Sequence, residues 1–252
     1  MTLPRAAAAL AALVLVPFLA SAATAHPDAQ AQSLAALRVA TLAERIAKLQ
    51  AQAGQGLLAE RAKRSLAQAL RQLEAAARDV GRPAAPADLH ESAAILQILV
   101  REYHAWALKP ANRENARGLG DRCDEVAWTA AKAARLFAPG EAMDAARAEQ
   151  VAALGQRAAR LALWRHWSVG TSLDNEIALA AAQLHAALEA LHKAPTTPES
   201  ESELQLAENQ AAFLFATLRA SDAGTRALED AAKASDNLQE SMERLARLYN
   251  AP

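Results

Sequence analysis

The sequence predicts an all-α protein: two tandem antiparallel four-helix bundle units behind a signal peptide. Three observations predict it. The chain is 52% hydrophobic but only 4% aromatic, and the difference is mostly alanine, the best helix former and a residue that buries little area, so thin, closely spaced helices follow. Apolar residues recur at spacings of three and four along most of the chain, the period of an amphipathic helix. Finally, one stretch comes back. Leu42-Ala43-Glu44-Arg45-Ile46-Ala47-Lys48-Leu49 has the same skeleton as Leu154-Gly155-Gln156-Arg157-Ala158-Ala159-Arg160-Leu161, at a separation of 154 − 42 = 112 residues.

The totals set outer bounds. The chain has 252 residues, nine glycines, ten prolines and a formal charge of −1, a globular composition. A nucleic-acid footprint needs a basic face, which this balance does not supply. The single cysteine, Cys123, has no internal disulfide partner. It falls on a stripe with Leu119, Val126, Ala130, Ala133 and Phe137, where a thiol is a small inert core residue.

Residues 1–25 read as a secretory signal peptide. Arg5 gives the positive start, Ala6 to Ala20 the apolar core, and Ala23-Thr24-Ala25 a small-x-small cleavage site before His26. The core is ~15 residues, short of the ~20 that span a bilayer. A periplasmic location follows; the alternative is an uncleaved N-terminal segment that tethers the chain to the inner membrane.

The helices then follow in order. The first runs from about Asp28 to Ala53 with Ala35, Val39, Leu42, Ile46, Leu49 and Ala53 as its apolar face, and Gly54-Gln55-Gly56 ends it. The second carries Leu66, Leu70, Leu73, Ala77 and Val80 and closes at Gly81-Arg82-Pro83. After the Pro83–Pro86 loop, Asp88 and Glu91 form a capping-box pattern. The third helix holds Leu89, Leu96, Leu99, Tyr103 and Trp106, and Lys109-Pro110 stops it. The fourth is the Cys123 helix, and Pro139-Gly140 marks the boundary between a first unit, 26–138, and a second, 139–252. In the second unit, helix five contains Met143, Leu154, Leu161 and Trp164. Ser172 or Asp174 caps helix six, whose stripe is Ile177, Ala181, Leu184, Leu188 and Leu191. Residues 194–200 read as a loop, helix seven holds Leu204, Phe213, Leu214 and Leu218, and helix eight runs from about Asp222 to Tyr249.

The last helix of each unit repeats as well. Asp124-Glu125-Val126 and Ala134-Arg135-Leu136-Phe137 match Asp236-Asn237-Leu238 and Ala246-Arg247-Leu248-Tyr249, again at 236 − 124 = 112, with Cys123 opposite Ser235. One register kept from first helix to last is hard to obtain from accidental periodicity. Short loops make consecutive helices antiparallel neighbours.

The motif Leu-x-x-Arg-Ile-Ala-Lys-Leu on the first helix, with Ala-Arg-Leu-Tyr on the last, resembles the PilJ/NarX-type sensor domain. That domain is the N-terminal part of type IV pili methyl-accepting chemotaxis transducers and of nitrate/nitrite sensor kinases. The resemblance implies four-helix units that bind a small anion and signal through a membrane partner. In the nitrate sensors the arginine that grips the anion falls on Ala40 and Ala152 of this chain. The later arginine of the motif is kept in both copies, as Arg45 and Arg157, and Arg38 is kept in the first copy only.

Those three arginines are the candidate ligand-binding residues. If helices one and five pack side by side, Arg45 and Arg157 hold an anion jointly, since planar guanidinium donors suit nitrate or carboxylate. The plainer reading is that each pairs with a glutamate or caps carbonyls in its own bundle, its stem packed on leucines. His185, Glu189 and His192 share a helix face, but a solvated flank explains them better than a metal, for want of a second ligand helix. Trp164, His166 and Trp167 read as a plug at a bundle end or a pocket lining. Neither half contains Cys-x-x-Cys-His, which excludes a covalent c-type haem; no cofactor is expected. With no nucleophile elbow, phosphate loop or zinc-protease motif, a non-enzymatic role is expected. It is that of an exported sensor that binds a small anion or solute and signals to a membrane receptor or type IV pilus component, without nucleic acid. Dimerisation stays open. The alternative is a structural or adaptor bundle that has lost ligand binding.

Overall fold

A computed structural model describes residues 27–82, 87–138, 143–219 and 224–250. Among the described residues there are eight helices and no strand: α1 Pro27–Gly54, α2 Ala59–Val80, α3 Ala87–Ala107, α4 Arg113–Phe137, α5 Asp144–His166, α6 Leu173–Leu191, α7 Pro198–Arg219 and α8 Thr225–Tyr249. Residues 1–25, expected as a signal peptide, the expected loop at Pro83–Pro86 and the expected boundary at Pro139-Gly140 lie outside the described residues.

In the first unit α1 packs on α2 and α4, α3 packs on α4, and α2 closes the ring against α3; the second unit repeats this with α5 to α8, although α6 and α7 meet only sparingly. The all-α tandem bundle expected from the repeat is therefore the observed fold. The two units lie side by side, joined by α1 against α5. Thr41 Oγ1 donates to the Glu149 carbonyl at 3.2 Å and Gln55 Nε2 to the Leu163 carbonyl at 3.0 Å. Both partners are offset by the same amount (149 − 41 = 163 − 55 = 108), so α1 and α5 run parallel.

This position explains the composition of α1. Its sequence marks one apolar face, yet every residue from Val39 to Gln52 except Arg45 is buried. A helix covered by its own bundle on one side and by a second unit on the other has no solvent face to spare. Ala36, Ala40, Ala43 and Ala47 pack into the core of the first unit and Ala51 into that of the second, and their short side chains let backbones approach closely. In α5 Gly155 makes room inside its own unit: a Cβ there would sit 2.7 Å from a Leu238 methyl of α8.

Local side-chain caps explain the starts of α4 and α7. Asn112 caps α4 by accepting from the Asn115 amide at 2.8 Å. Thr197 and Ser200 form a reciprocal cap on α7, Thr197 N to Ser200 Oγ at 2.8 Å and Ser200 N to Thr197 Oγ1 at 3.2 Å. With Pro198 as the first helical residue, α7 begins inside the stretch that reads as loop. One expectation needs correction. Ser172 precedes α6 in a left-handed conformation (φ 62°) with no side-chain cap bond, and Asp174 is drawn away by Arg165 at 2.7 Å. Helix eight is described from Thr225, after an extended Gly224; Asp222, near which it is expected to begin, lies outside the described residues. Asp88, expected to cap helix three, falls inside α3, and its side chain lies outside the described residues.

Candidate functional site

The seam between α1 and α5 is charged. On α1, Lys48 is fully buried and all three of its donors are used: Asp236 Oδ1 at 2.6 Å, Ser235 Oγ at 3.1 Å and the Ala232 carbonyl at 3.3 Å, all on α8. On α5, Arg160 is also fully buried. It reaches Asp124 Oδ1 on α4 at 2.7 Å and Glu44 Oε2 on α1 at 2.8 Å, and its guanidinium lies 4.3 Å from the centre of the Trp164 ring. Lys48 and Arg160 occupy the same repeat position, as do Asp236 and Asp124 (236 − 124 = 160 − 48 = 112). Each unit therefore offers a base from its first helix to an acid on the last helix of the other. This is the reciprocal geometry of a two-fold dimer interface, written into one chain.

The two clasps differ in their third member. Beside Arg160 stands Glu44; in the equivalent place beside Asp236 stands Gln156, which donates to the Ser235 carbonyl at 3.0 Å and to Gln239 Oε1 at 2.9 Å. Burial pushes the Glu44 carboxyl above its ordinary range, against the pull of Arg160. Burial would raise the Asp236 carboxyl too, but Lys48 and Arg45 outweigh it and hold it low. Burial lowers the Lys48 ammonium, with Asp236 opposing. Glu44, Cys123 and Asp124 each bring a ligand atom within 4.8 Å of the others, but Arg160 is already paired with two of the three. The Cys123 thiol is pushed well up by burial, which fits an inert core residue.

The candidate arginines fall in three places. Arg45 lies at the seam with Nε 3.6 Å from Asp236 Oδ1. Arg157, its repeat equivalent, is 3.5 Å from Glu176 on α6. The two are thus held by different carboxylates: Arg45 across the seam, Arg157 inside its own unit. Arg38 lies 3.6 Å from Glu243 of α8 and lines a cleft of about 300 Å³ at the N-terminal end of the seam, with Gln32, Arg82, Glu149 and Arg247. A larger groove, about 1180 Å³ and walled by Ile177, Leu184, Leu188, Phe215 and several alanines, opens between α6 and α7.

The remaining candidates are explained locally. His185 pairs with Glu189 at 3.2 Å on an exposed flank, and His192 pairs with Glu208 of α7. Trp164 and Trp167 plug the other end of the seam. Trp164 fills the space where a Cβ on Gly120 would be, and Trp167 does the same at Gly54.

Sequence reasoning passes over Lys48, Arg160, Asp124, Asp236 and Glu149 as functional residues. The signal for the first four is present: two bases and two acids, each pair in the same repeat register, have to be satisfied somewhere. Nothing marks Glu149, because it becomes buried only when α1 closes over α5. The chain matches no known protein-family profile, no curated protein and no solved structure.

Proposed function

We propose that this chain is an exported, non-enzymatic, sensor-type helical protein. It takes up a small anion or solute between its helices and reports by displacing one unit against the other, to a membrane partner of a chemotaxis, type IV pilus or nitrate-sensing system. The observation that carries this reading is the reciprocal charged clasp across the α1/α5 seam. Buried ion pairs are poor stabilisers, because desolvation offsets most of their attraction, and apolar residues of similar volume often do better. What such pairs supply is a defined register, and an interface with a defined register can move between discrete arrangements. The motif resemblance to the PilJ/NarX-type sensor domain supports the same reading, with the two repeats standing for the two subunits of a sensor dimer. The signal-peptide pattern of residues 1–25 supports export.

A structural or adaptor bundle is the second reading. Its support is that Arg45 and Arg157 are already engaged by Asp236 and Glu176, while Ala40 and Ala152 stand where the resemblance implies an anion-gripping arginine. Thermal melts of residues 26–252 across a panel of anions and small solutes separate the two. A ligand at 100 times its dissociation constant adds ~2.7 kcal/mol, and Arg45→Gln with Arg157→Gln removes any shift produced by an anion at the seam. If no solute moves the melt, the sensor reading fails and the adaptor reading stands.

A further inference from the structure

The middle helices of the two units differ more than the repeat suggests. The buried stripe of α2, with Ala69, Leu73 and Val80, matches that of α6, with Ala180, Leu184 and Leu191. That of α3, with Ala93, Val100 and Tyr103, matches that of α7, with Leu204, Ala211 and Leu214, at the same offset (180 − 69 = 204 − 93 = 111). In the first unit two contacts tie the pair. Gln97 Nε2 of α3 donates to the Ala77 carbonyl of α2 at 3.2 Å, and His104 Nε2 stands 3.3 Å from Glu74 Oε1. Among the described residues the second unit has neither tie. Glu208 and Phe215 stand at the places of Gln97 and His104, and His185 at that of Glu74. Glu208 turns to His192, and His185 to Glu189 on its own helix. Size falls as well, for the places of the buried Leu70 and Val100 are held by Ala181 and Ala211. The groove of about 1180 Å³ is the result, with Ile177, Leu184 and Leu188 on one wall and Phe215 and Leu218 on the other. From Asp174 to Glu189 of α6 it runs about 22 Å, at about 1.5 Å of rise per residue.

The ends of the groove are unlike. Where α6 starts and α7 ends stand Arg165, Asp174 and Arg219. Arg165 is satisfied by Asp174 Oδ1 at 2.7 Å and by the Leu218 carbonyl at 3.1 Å. The exposed Arg219 guanidinium has no ion pair or hydrogen bond among the described residues. Toward the other end the acids Glu189 and Glu208 each hold a histidine. Among the described residues no side chain that lines the groove leaves a buried polar atom unpaired, so the walls ask for apolar surface and no hydrogen bonds. We propose that this groove binds one long-chain carboxylate, its acyl chain lying between α6 and α7 and its head on Arg219. A guanidinium pairs with a carboxylate through two parallel N–H···O bonds, and each methylene that leaves water tightens the binding. A channel lined by alanines suits a flexible chain, where a partner helix needs pockets for its side-chain anchors. The groove lies inside the second unit, so the inference goes beyond the sensor reading and does not depend on movement at the seam.

The test is calorimetric titration of delipidated residues 26–252 with octanoate, decanoate and dodecanoate. Acetate and dodecyltrimethylammonium serve as controls for head and chain, all below the concentrations at which they form micelles. Dodecanoate is expected to bind one to one, with affinity rising about two- to fourfold for each added methylene. Acetate is expected not to bind, and dodecyltrimethylammonium to bind about tenfold more weakly or less. That series needs no variant. Arg219→Gln weakens dodecanoate about fivefold and leaves the dependence on chain length as it was. Ala181→Leu with Ala211→Val, which copies Leu70 and Val100 of the first unit, fills the groove. It lowers the affinity about tenfold or more without lowering the melting temperature. The inference is overturned if dodecanoate does not bind at about 1 mM, or if affinity is indifferent to chain length. It is overturned equally if dodecyltrimethylammonium binds as tightly, if Arg219→Gln binds dodecanoate unchanged, or if the filled groove binds as well as the open one. A parent chain that is dimeric by light scattering, and monomeric once the groove is filled, also overturns it, because a second copy then covers the groove.

Discussion

At the scale of single residues, the seam sets the buried Lys48, Arg160 and Glu44 against a partly buried Asp236 and a half-exposed Asp124, and removing these charges has opposite effects singly and in pairs. Lys48→Met leaves the Asp236 carboxylate buried with only Gln156 and the longer contact to Arg45. Stranding a buried charge costs about 3–5 kcal/mol, and the expected loss, read from urea unfolding, is near 3 kcal/mol because Arg45 remains. Lys48→Met with Asp236→Leu removes both charges and recovers most of that loss; a double variant no better than the single one contradicts the clasp. Glu149 gives a second expectation. Its carboxyl, raised from 4.5 to about 7 by burial, holds a proton in the folded chain that the unfolded chain releases. Its contribution to stability is therefore complete below about pH 4.5 and is lost as the pH rises to 7, in total about 3 kcal/mol. Glu149→Gln flattens this slope and is more stable than the parent chain at pH 8, with little difference at pH 4.5, as thermal melts at both pH values measure.

At the scale of elements, the seam depends on side chains that the helices around it leave out. Gly120 of α4 leaves room for the Trp164 ring, whose nearest atom a Cβ would approach to 1.8 Å. Gly120→Ala is expected to cost about 1–3 kcal/mol by overpacking. Because the strain lies in one contact, Gly120→Ala with Trp164→Leu is expected to lose less than the two single losses together; strict additivity contradicts the plug. The sequence is legible at this scale where a single helix decides the pattern: the stripes of Leu70, Leu73 and Val80, or of Leu119, Val126 and Phe137, show which face goes inward. It is less legible for α1 and α5, because a helix buried on every side combines an apolar face, an alanine face and stray charges. Lys48 and Arg160 look like solvated bases until the second unit covers them. Caps fail for a similar reason. Asp174 has the right chemistry to cap α6, but Arg165 on the neighbouring helix competes for its carboxylate.

At the scale of the whole molecule, two repeats behave as the halves of one interface. The contacts that join them are spread along the seam, from Arg38–Glu243 and Thr41–Glu149 through the two clasps to Gln55–Leu163. Unfolding of residues 26–252 is therefore expected as a single cooperative transition. Replacing Lys48 and Arg160 together by methionine is expected to lower the melting temperature and to separate the transitions of the two units. A parent chain that melts in two steps contradicts a seam of this strength. The sensor reading asks more of the seam: solute has to shift one unit against the other. The most direct measurement is the distance between spin labels at Trp128→Cys on α4 and Leu179→Cys on α6, exposed positions on different units. The background is Cys123→Ser, which borrows the residue found at the equivalent Ser235. Helix shifts of this class are about 1–2 Å, and the account predicts a displaced distance distribution with whichever anion or small solute raises the melting temperature. A solute that stabilises the protein while leaving that distribution unchanged would contradict it.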